Sequence, residues 1–437
     1  MNTASIKYYS TNGRSPVVSF REATIRGQAP DKGLYFPDRV PQLSVEFLAK
    51  LKSMSKAEIA FEVIKPYVAG EIADAELFRI CEETVAFDFP LKKINGRISS
   101  LELFHGPTLA FKDVGARFMS RCLGQFSKQQ SQKVTVLVAT SGDTGSAVAN
   151  GFLGVEGVDV VILYPSGKVS KVQELQLTTL GQNITALEVK GTFDDCQAMV
   201  KQAFADSDLT DKMFLTSANS INVARWLPQQ FYYFYALQQW EGDEAPVISV
   251  PSGNFGNVCA GLLAHVSGLP TSQFVVACNE NDVFSGYLNT SSFHPKAAVA
   301  TISNAMDVGN PSNFVRILEL FQHDHERIKR LISSYSINDA VTAETIAEVY
   351  KKHNYLLDPH GAVAYRALDF YLDEYPKRRG FILETAHPVK FSDVVEMITG
   401  QEIAIPESIR GLLSQEKKSQ VINAEYGDLK EYLVGMP

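Results

Sequence analysis

The chain has 437 residues, with 41 Lys or Arg, 49 Asp or Glu and a net charge of −8. This length predicts two or three domains with an ample core, and the acidic balance argues against non-specific nucleic-acid binding. The N-terminus lacks the apolar stretch of a signal peptide, and no apolar run is long enough to cross a bilayer. The five scattered cysteines form no CxxC pair, so we expect a cytoplasmic protein without a disulfide scaffold or a zinc site.

Lys112 is the first residue in chain order whose sequence surroundings indicate a chemical role. It lies in the apolar run LFHGPTLAFKDVG over residues 103–115, where Asp113 is the one acidic neighbour. Burial disfavours an ammonium ion, so the pKa of Lys112 should fall and its amine become a nucleophile or base. The alternative is a lysine whose stem packs while its charge reaches water.

Short apolar runs alternate with amphipathic ones in the middle of the chain. They predict strands at residues 134–139, 158–163 and 184–189, and helices at 145–152 and 171–180. The first strand is followed by Thr140, Ser141, Gly142, Asp143 and Thr144. Hydroxyls, loop amides and the start of a helix together can receive a carboxylate or a phosphate, although Asp143 or Ser141 could instead simply cap the helix.

A second loop, SGNFGN over residues 252–257, lies between a predicted strand at 247–250 and a predicted helix. Its glycines permit close approach of the backbone, and its amides and the helix start favour a phosphate. The pattern is neither the GxGxxG dinucleotide fingerprint nor a Walker A loop. An ordinary strand-to-helix turn is the alternative.

Further strands at residues 274–278 and 381–383 continue the alternation, which predicts an α/β fold with two parallel-type sheets covered by helices. We expect two main domains with the active site in the cleft between them, because ligands bind at the carboxyl ends of such strands. Residues 1–100 would be an N-terminal extension associated with the large domain, residues 101–240 the smaller domain, and residues 241–437 the large domain.

One cofactor accounts for a candidate amine and two anion-binding loops. Pyridoxal 5′-phosphate joins its aldehyde to a lysine, carries a phosphate, and acts as an electron sink for amino-acid carbanions. The substrate would then be an amino acid whose own anionic group occupies the second loop.

Eight segments, in one order along nearly the whole chain, resemble the threonine synthase family, which belongs to the tryptophan synthase β-like (fold type II) pyridoxal-phosphate enzymes. The segments are GLYFPDRVP, FHGPTLAFKDVG, ATSGDTGSAVANGF, SANSINVARW, PSGNFGNV, NAMDVGNPSNF, DPHGAVAY and ETAHPVKF. The resemblance implies a lyase that converts O-phospho-L-homoserine and water to L-threonine and phosphate, the last step of threonine biosynthesis.

The resemblance also implies roles for individual residues. Lys112 matches the lysine that forms the Schiff base, and Thr385 matches the hydroxyl that meets the pyridine nitrogen. Asp143 stands where many relatives have an asparagine beside the ring oxygen, so its role stays open between cofactor, substrate and helix capping. The matched cofactor-phosphate loop consists of Gly253, Asn254, Phe255, Gly256 and Asn257. The matched substrate-carboxylate loop consists of Thr140, Ser141, Gly142 and Thr144.

The substrate phosphate needs donors or cations of its own. The candidates are Asn219, Ser220, Asn222 and Arg225, with a surface ion pair as the alternative for Arg225. A related phospho-lyase or a serine/threonine dehydratase-like lyase would use the same lysine and cofactor loop, but the dehydratase needs no second phosphate receptor. A non-catalytic phosphometabolite-binding protein would need no desolvated lysine. The sequence indicates no metal site and leaves the oligomeric state open.

Overall fold

The structure is a computed structural model that describes residues 5–68, 70–128 and 133–436. The strands are β1 (Tyr8–Ser10), β2 (Tyr35–Pro37), β3 (Leu91–Lys93), β4 (Ile98–Glu102), β5 (Val134–Ala139), β6 (Val158–Pro165), β7 (Ile184–Lys190), β8 (Phe214–Thr216), β9 (Val247–Pro251), β10 (Gln273–Cys278), β11 (Ile332–Ser336), β12 (Gly380–Glu384) and β13 (Gln420–Asn423).

The helices are α1 (Phe20–Arg26), α2 (Val45–Lys50), α3 (Lys56–Val68), α4 (Asp74–Thr84), α5 (Lys112–Ser127), α6 (Asp143–Phe152), α7 (Lys171–Thr178), α8 (Phe193–Ala205), α9 (Ser207–Thr210), α10 (Val223–Trp226), α11 (Phe231–Gln239), α12 (Gly256–Val266), α13 (Val283–Thr290), α14 (Phe314–Leu320), α15 (His325–Leu331), α16 (Asp339–His353), α17 (Pro359–Glu374), α18 (Ser392–Thr399), α19 (Glu407–Arg410) and α20 (Tyr426–Val434). Short 3₁₀ helices cover Leu51–Ser53, Leu227–Gln230, Asn304–Met306, Pro388–Phe391 and Gly411–Ser414.

A five-stranded sheet has the order β13-β7-β6-β5-β8, and all its strands are parallel. Every residue of β5 is buried, as expected for a strand with helices over both faces of the sheet. Strands β5, β6 and β7 contain the three strands predicted from the apolar runs at 134–139, 158–163 and 184–189, which are therefore confirmed.

A six-stranded sheet has the order β11-β10-β9-β12-β4-β3. Its strands are parallel except for the β3–β4 pair, which is antiparallel. Strand β12 lies between β9 and β4, and its last residue, Glu384, is the register partner of Glu102. The predicted α/β class with parallel-type sheets covered by helices is confirmed.

The N-terminal segment packs into the same core as both sheets. One apolar cluster contains Tyr67 from α3, Phe118 from α5, Val136 from β5 and Phe274 from β10. Because these side chains bury a continuous apolar surface, the N-terminal helices are fixed to the rest of the molecule. Among the residues that the structure describes, no helix has both the length and the apolar character needed to cross a membrane.

The pairing of the strands does not follow the chain order. Strands β3 and β4, which lie near residue 100, belong to the six-stranded sheet together with β9 and β12. Strand β13 lies in the segment 241–437, which was expected to form the large domain, but it pairs with β7 of the five-stranded sheet. The C-terminal segment thus returns from one sheet to the other. The domain boundaries near residues 100 and 240 stay a prediction.

Candidate active site

Five loops meet where parallel strands end. They follow the carboxyl ends of β4, β5, β8, β9 and β12, and they carry Lys112, the 140–144 loop, the 219–222 loop, the 253–257 loop and Thr385 respectively. In parallel α/β sheets this edge is the usual place for ligands, because the strand ends and the helix starts leave backbone groups free there.

Backbone hydrogen bonds hold Lys112 beside Thr385. The segment before α5 pairs with the segment after β12: the Phe111 amide donates to the Thr385 carbonyl at 2.9 Å, and the His387 amide donates to the Leu109 carbonyl at 3.0 Å. Lys112 is the first residue of α5, so its backbone is fixed by this pairing on one side and by the helix on the other.

The Lys112 amine lies among charged neighbours of both signs. Burial lowers its pKa, the Asp143 carboxylate opposes that shift, and the nearby cations of Lys390 and Arg225 reinforce it, with a net pKa below the usual range. The side chain is half-buried, and no ion pair with it is found among the described residues. The direction of the shift is the one that the apolar run around Lys112 predicts.

Asp113, the acidic neighbour of Lys112 in sequence, does not face it. Its carboxylate accepts hydrogen bonds from the Thr108 amide at 3.0 Å and the Thr108 hydroxyl at 2.5 Å. The carboxylate that acts on the pKa of Lys112 is that of Asp143, from the loop after β5.

Lys390 was not predicted from the sequence, although it lies in the segment ETAHPVKF. It is 1% exposed, and its ammonium contacts the Asp143 carboxylate at 2.6 Å and donates to the Thr108 carbonyl at 2.9 Å. A charged residue within an apolar segment was the available signal. Its partner could not be recognised because it lies in a distant part of the chain.

Asp143 is held ionised between two lysines. Burial by itself would raise its pKa, but attraction by Lys390 and Lys112 outweighs burial, and the net pKa lies well below the usual range. The Gln173 amide also donates to this carboxylate at 2.9 Å. The N-cap of α6 is Gly142, and it makes no side-chain capping bond, so the expectation that Asp143 or Ser141 caps the helix is wrong.

The 140–144 loop keeps part of its polar surface free. The Thr140 hydroxyl accepts from the Gly142 and Gly145 amides at 3.0 and 2.9 Å, and so shapes the turn rather than facing solvent. Ser141 is exposed and Thr144 is half-buried. These two hydroxyls and the first amides of α6 are the groups that an anion could reach.

The 253–257 loop forms a compact turn at the start of α12. Phe255 has a φ of 59°, a left-handed conformation that turns the chain into the helix. A Cβ atom on Gly253 would lie 2.7 Å from the Met306 Cα, so this position needs glycine for close approach. The Asn257 residue is 6% exposed, its Oδ1 accepts from the Tyr233 hydroxyl at 2.9 Å, and its Nδ2 is buried with no hydrogen-bond partner among the described residues. The donors that the turn offers to an anion are the first amides of α12.

The 219–222 loop adjoins the 253–257 loop. The Ser220 hydroxyl accepts from Asn254 Nδ2 at 2.9 Å and from Asn313 Nδ2 at 3.3 Å. Arg316, which is fully buried, donates to the Ser220 and Ile221 carbonyls at 3.2 and 2.6 Å. These contacts fix the two loops against each other, with Asn219 and Ser220 half-buried.

Asn222 and Arg225 are both buried, which distinguishes them from Asn219 and Ser220. The Asn222 amide donates to the Thr24 and Ser217 carbonyls, and its oxygen caps α10. Arg225 is 3% exposed, which excludes the surface ion pair. One nitrogen donates to the Ala218 carbonyl at 2.6 Å, and Nε has no hydrogen-bond partner in the part of the chain that the structure describes. Burial lowers the pKa of Arg225 to about 10.

Three family models match the chain. One described as pyridoxal-phosphate dependent enzyme covers residues 91–383, and the threonine synthase N-terminal and C-terminal models cover residues 7–85 and 361–433. A threonine synthase from Serratia marcescens is 42% identical over 434 residues, which cover 99% of this chain and 100% of the relative. The chain belongs to the threonine synthase family of pyridoxal-phosphate dependent enzymes.

Solved structures of the family have the same fold as this chain. Threonine synthase from Escherichia coli superposes with a TM-score of 0.91 at 40% identity, covering 98% of this chain and 99% of the other. Pyridoxal-phosphate-bound threonine synthase from Brucella melitensis superposes with a TM-score of 0.92 at 36% identity, with the same coverage. Threonine deaminase from Solanum lycopersicum, at 14% identity and a TM-score of 0.55, shares the fold alone.

The residues of this chain fit the family's cofactor. A phosphate requires several donors, and the start of α12 supplies backbone amides that have no partner within the helix. An aldehyde requires a neutral amine, which the lowered pKa of Lys112 favours. The pyridine nitrogen of such a cofactor would meet a hydroxyl at Thr385, which the backbone pairing holds next to Lys112.

Proposed function

We propose that this chain converts O-phospho-L-homoserine and water into L-threonine and phosphate, as a cytoplasmic enzyme of threonine biosynthesis. The observation that carries the proposal is the Lys112 amine, whose pKa is lowered in a cleft bounded by two helix N-termini suited to anions. The α12 N-terminus would hold the cofactor's phosphate and the α6 N-terminus the substrate carboxylate, so a substrate that also carries a phosphate needs a third receptor, which the 219–225 segment would supply.

Pyridoxal 5′-phosphate supplies an electron sink that stabilises carbanions next to an amino group. We assign its covalent attachment to Lys112 and its phosphate to Gly253, Asn254, Phe255, Gly256 and Asn257. Thr385 would hold the pyridine nitrogen through a neutral hydroxyl, which does not enforce a positive charge there.

Lys112 Nζ is also the group that would move protons. Once free of the cofactor, a neutral amine can remove the proton next to the substrate's amino group and later return one. Asp143 is already paired with Lys390 at 2.6 Å, so it serves to place a fixed negative charge near Lys112 rather than to accept a proton. The low pKa of Asp143 supports the assignment of proton transfer to Lys112, because an acid that stays ionised is a poor proton carrier at neutral pH.

We assign the substrate carboxylate to the loop of Thr140, Ser141, Gly142 and Thr144, with Ser141, Thr144 and the α6 amides as the direct contacts. The substrate phosphate would lie near Asn219, Ser220 and Arg225. Asn222 supports this loop instead of binding substrate, since both of its amide hydrogens are already used within the protein. A dehydratase-like activity is less well supported, because the deaminase shares the fold alone.

The test is phosphate release from O-phospho-L-homoserine by the purified holoenzyme, with threonine identified as the carbon product. Lys112→Ala should abolish turnover and borohydride labelling, because it removes the amine to which the aldehyde would be attached; Lys390, the nearby lysine, is held by Asp143. The matched control is Lys171→Ala at the exposed start of α7, which should keep both. Threonine formation by Lys112→Ala, with its fold intact by circular dichroism, would contradict the assignment.

A further inference from the structure

Three carboxylic acids lie buried directly behind Thr385. Glu384 ends β12, Glu102 ends the neighbouring strand β4, and Asp358 precedes α17. Their exposures are 0%, 8% and 0%. Three acids that close together cannot all be ionised in a buried place without cations to balance them.

Two of the three acids have partners suited to a carboxylate. Asp358 accepts from the Gly361 amide at 2.6 Å and lies 2.7 Å from His360 Nδ1. Glu102 accepts from the Tyr355 hydroxyl at 3.0 Å and lies 2.8 Å from His105 Nε2.

Glu384 differs from both. Its Oε1 accepts one hydrogen bond, from the Asp358 amide at 2.8 Å, and its Oε2 is buried without a partner among the described residues. The groups with the largest electrostatic effect on it are Asp358 and Glu102, and Tyr355 is a further neighbour. The nearby histidines contact the other two acids: His360 lies against Asp358 and His105 against Glu102. A Cβ atom on Gly361 would overlap Oε2, so the side chain fills the space beside that glycine.

We propose that Glu384 is a positioning residue that carries a buried proton: as a neutral acid it joins the end of β12 to the start of α17, and so fixes Thr385 at the cleft without adding a negative charge. The part that concerns Thr385 rests on the proposed function, because it assumes that this hydroxyl meets the cofactor. Burial, followed by repulsion from Asp358, raises the pKa of Glu384 well above its usual range, in agreement with the geometry.

Glu384→Gln is the first test, because glutamine has the shape of the neutral acid and cannot ionise. In the wild-type protein the unfolded chain loses this proton near pH 4.3, while the folded protein keeps it to higher pH. The folding equilibrium constant of wild type relative to Glu384→Gln should therefore fall as pH rises from that value, by up to about tenfold per pH unit. Denaturant unfolding of both holoenzymes between pH 5 and 8 measures this.

Infrared spectroscopy reports the proton directly. The carbonyl stretching band of a protonated carboxylic acid should be present near neutral pH in wild type and absent in Glu384→Gln. The proposal would be overturned if the stability of wild type and of Glu384→Gln changed equally with pH and the carboxylic acid band were the same in both proteins. Neither measurement requires turnover, so a failure of the proposed activity would leave this test intact.

A second pair of variants tests the contact with Gly361. Gly361→Ala should destabilise the wild-type protein, because the added methyl group overlaps Glu384. In a Glu384→Ala background the same change should be neutral or stabilising, since alanine favours helices and the space is then free. Equal effects in the two backgrounds would show that Glu384 does not occupy this space.

The absorption spectrum of the bound cofactor tests the link to Thr385. Glu384→Gln should keep the wild-type spectrum, whereas Glu384→Ala, which leaves the Asp358 amide unpaired, should shift it. An unshifted spectrum in Glu384→Ala would contradict a role in positioning Thr385.

Discussion

Lys390 and Asp143 form a buried ion pair, in which each charge offsets the free-energy cost of burying the other. The two charged atoms are 2.6 Å apart, and the side chains are 0% and 6% exposed. Removing one partner of such a pair leaves an uncompensated buried charge, which costs far more than the loss of a surface ion pair.

Lys390→Met should therefore lower the free energy of unfolding by about 3–5 kcal/mol. Adding Asp143→Asn should recover part of that loss, because the unpaired charge is removed. Denaturant unfolding of the two single variants and the double variant measures the coupling. Lys50→Met, which breaks the exposed Lys50–Glu46 pair, is the control and should change little.

The same pair has a predictable pH dependence. The folded-state pKa of Asp143 is depressed, so its contribution is present above the unfolded pKa and is lost as pH falls toward the folded value. Lys390→Met should flatten this acid limb of the stability curve. If its stability falls with acid as steeply as that of wild type, Asp143 is not held ionised by Lys390.

At the level of single residues, the sequence predicted the shift of Lys112 but not the network around it. The apolar residues at 103–115 indicate by their composition alone that the Lys112 amine is removed from water. Asp143 and Lys390 are brought together by two different sheets, so their pairing depends on the tertiary fold. The sequence leaves Arg225 open between a surface ion pair and a ligand for the substrate phosphate, and its burial excludes the surface ion pair.

Strands were predictable where they are apolar throughout. Strands β5, β9 and β12 are buried at every residue, and each was found from its apolar run. Strands β4 (ISSLE) and β11 (ISSYS) were missed. Their serines break the apolar pattern, and their pairing with neighbouring strands compensates for weak local preference.

The turn at the start of α12 depends on the close approach of Gly253 to the 3₁₀ helix Asn304–Met306. Gly253→Ala should push these two segments apart and weaken binding of the cofactor phosphate by about tenfold or more, roughly 1.4 kcal/mol. Titration of the apoenzyme with pyridoxal phosphate, followed by absorbance, measures the affinity.

Gly286→Ala is the matched control for this change. Gly286 lies within α13, and a Cβ atom there would meet nothing within 4 Å. It should keep the wild-type affinity and be neutral or slightly stabilising. Equal affinities for Gly253→Ala and Gly286→Ala would show that the turn tolerates the displacement.

In the whole molecule, the candidate cofactor site draws on both sheets. The 253–257 loop and Thr385 follow β9 and β12 of the six-stranded sheet, while Asp143 follows β5 of the five-stranded sheet. A ligand bound there would add to the polar contacts that already join segments of the two sheets, such as the Lys390–Asp143 pair and the Asn254–Ser220 hydrogen bond. The sequence predicted both sheets and an N-terminal segment associated with the second one, but not that β13, near the C-terminal end, pairs in the five-stranded sheet.

Removing the cofactor should consequently lower global stability. Pyridoxal phosphate at a hundred times its dissociation constant should stabilise the native state by about 2.7 kcal/mol. Thermal unfolding of the apoenzyme, before and after reconstitution, gives the shift in midpoint. Lys112→Ala should gain less from the same concentration, and an equal gain would argue against attachment at Lys112.

The position of β12 has a consequence for synthesis on the ribosome. This strand separates β9 from β4, so the hairpin of β3 and β4 cannot join its sheet until residue 384 has left the exit tunnel. For most of translation the nascent chain carries an unpaired strand edge, and such edges are prone to association with other chains. Its early helices, which are local in sequence, can form first and shield that edge until the missing strand arrives.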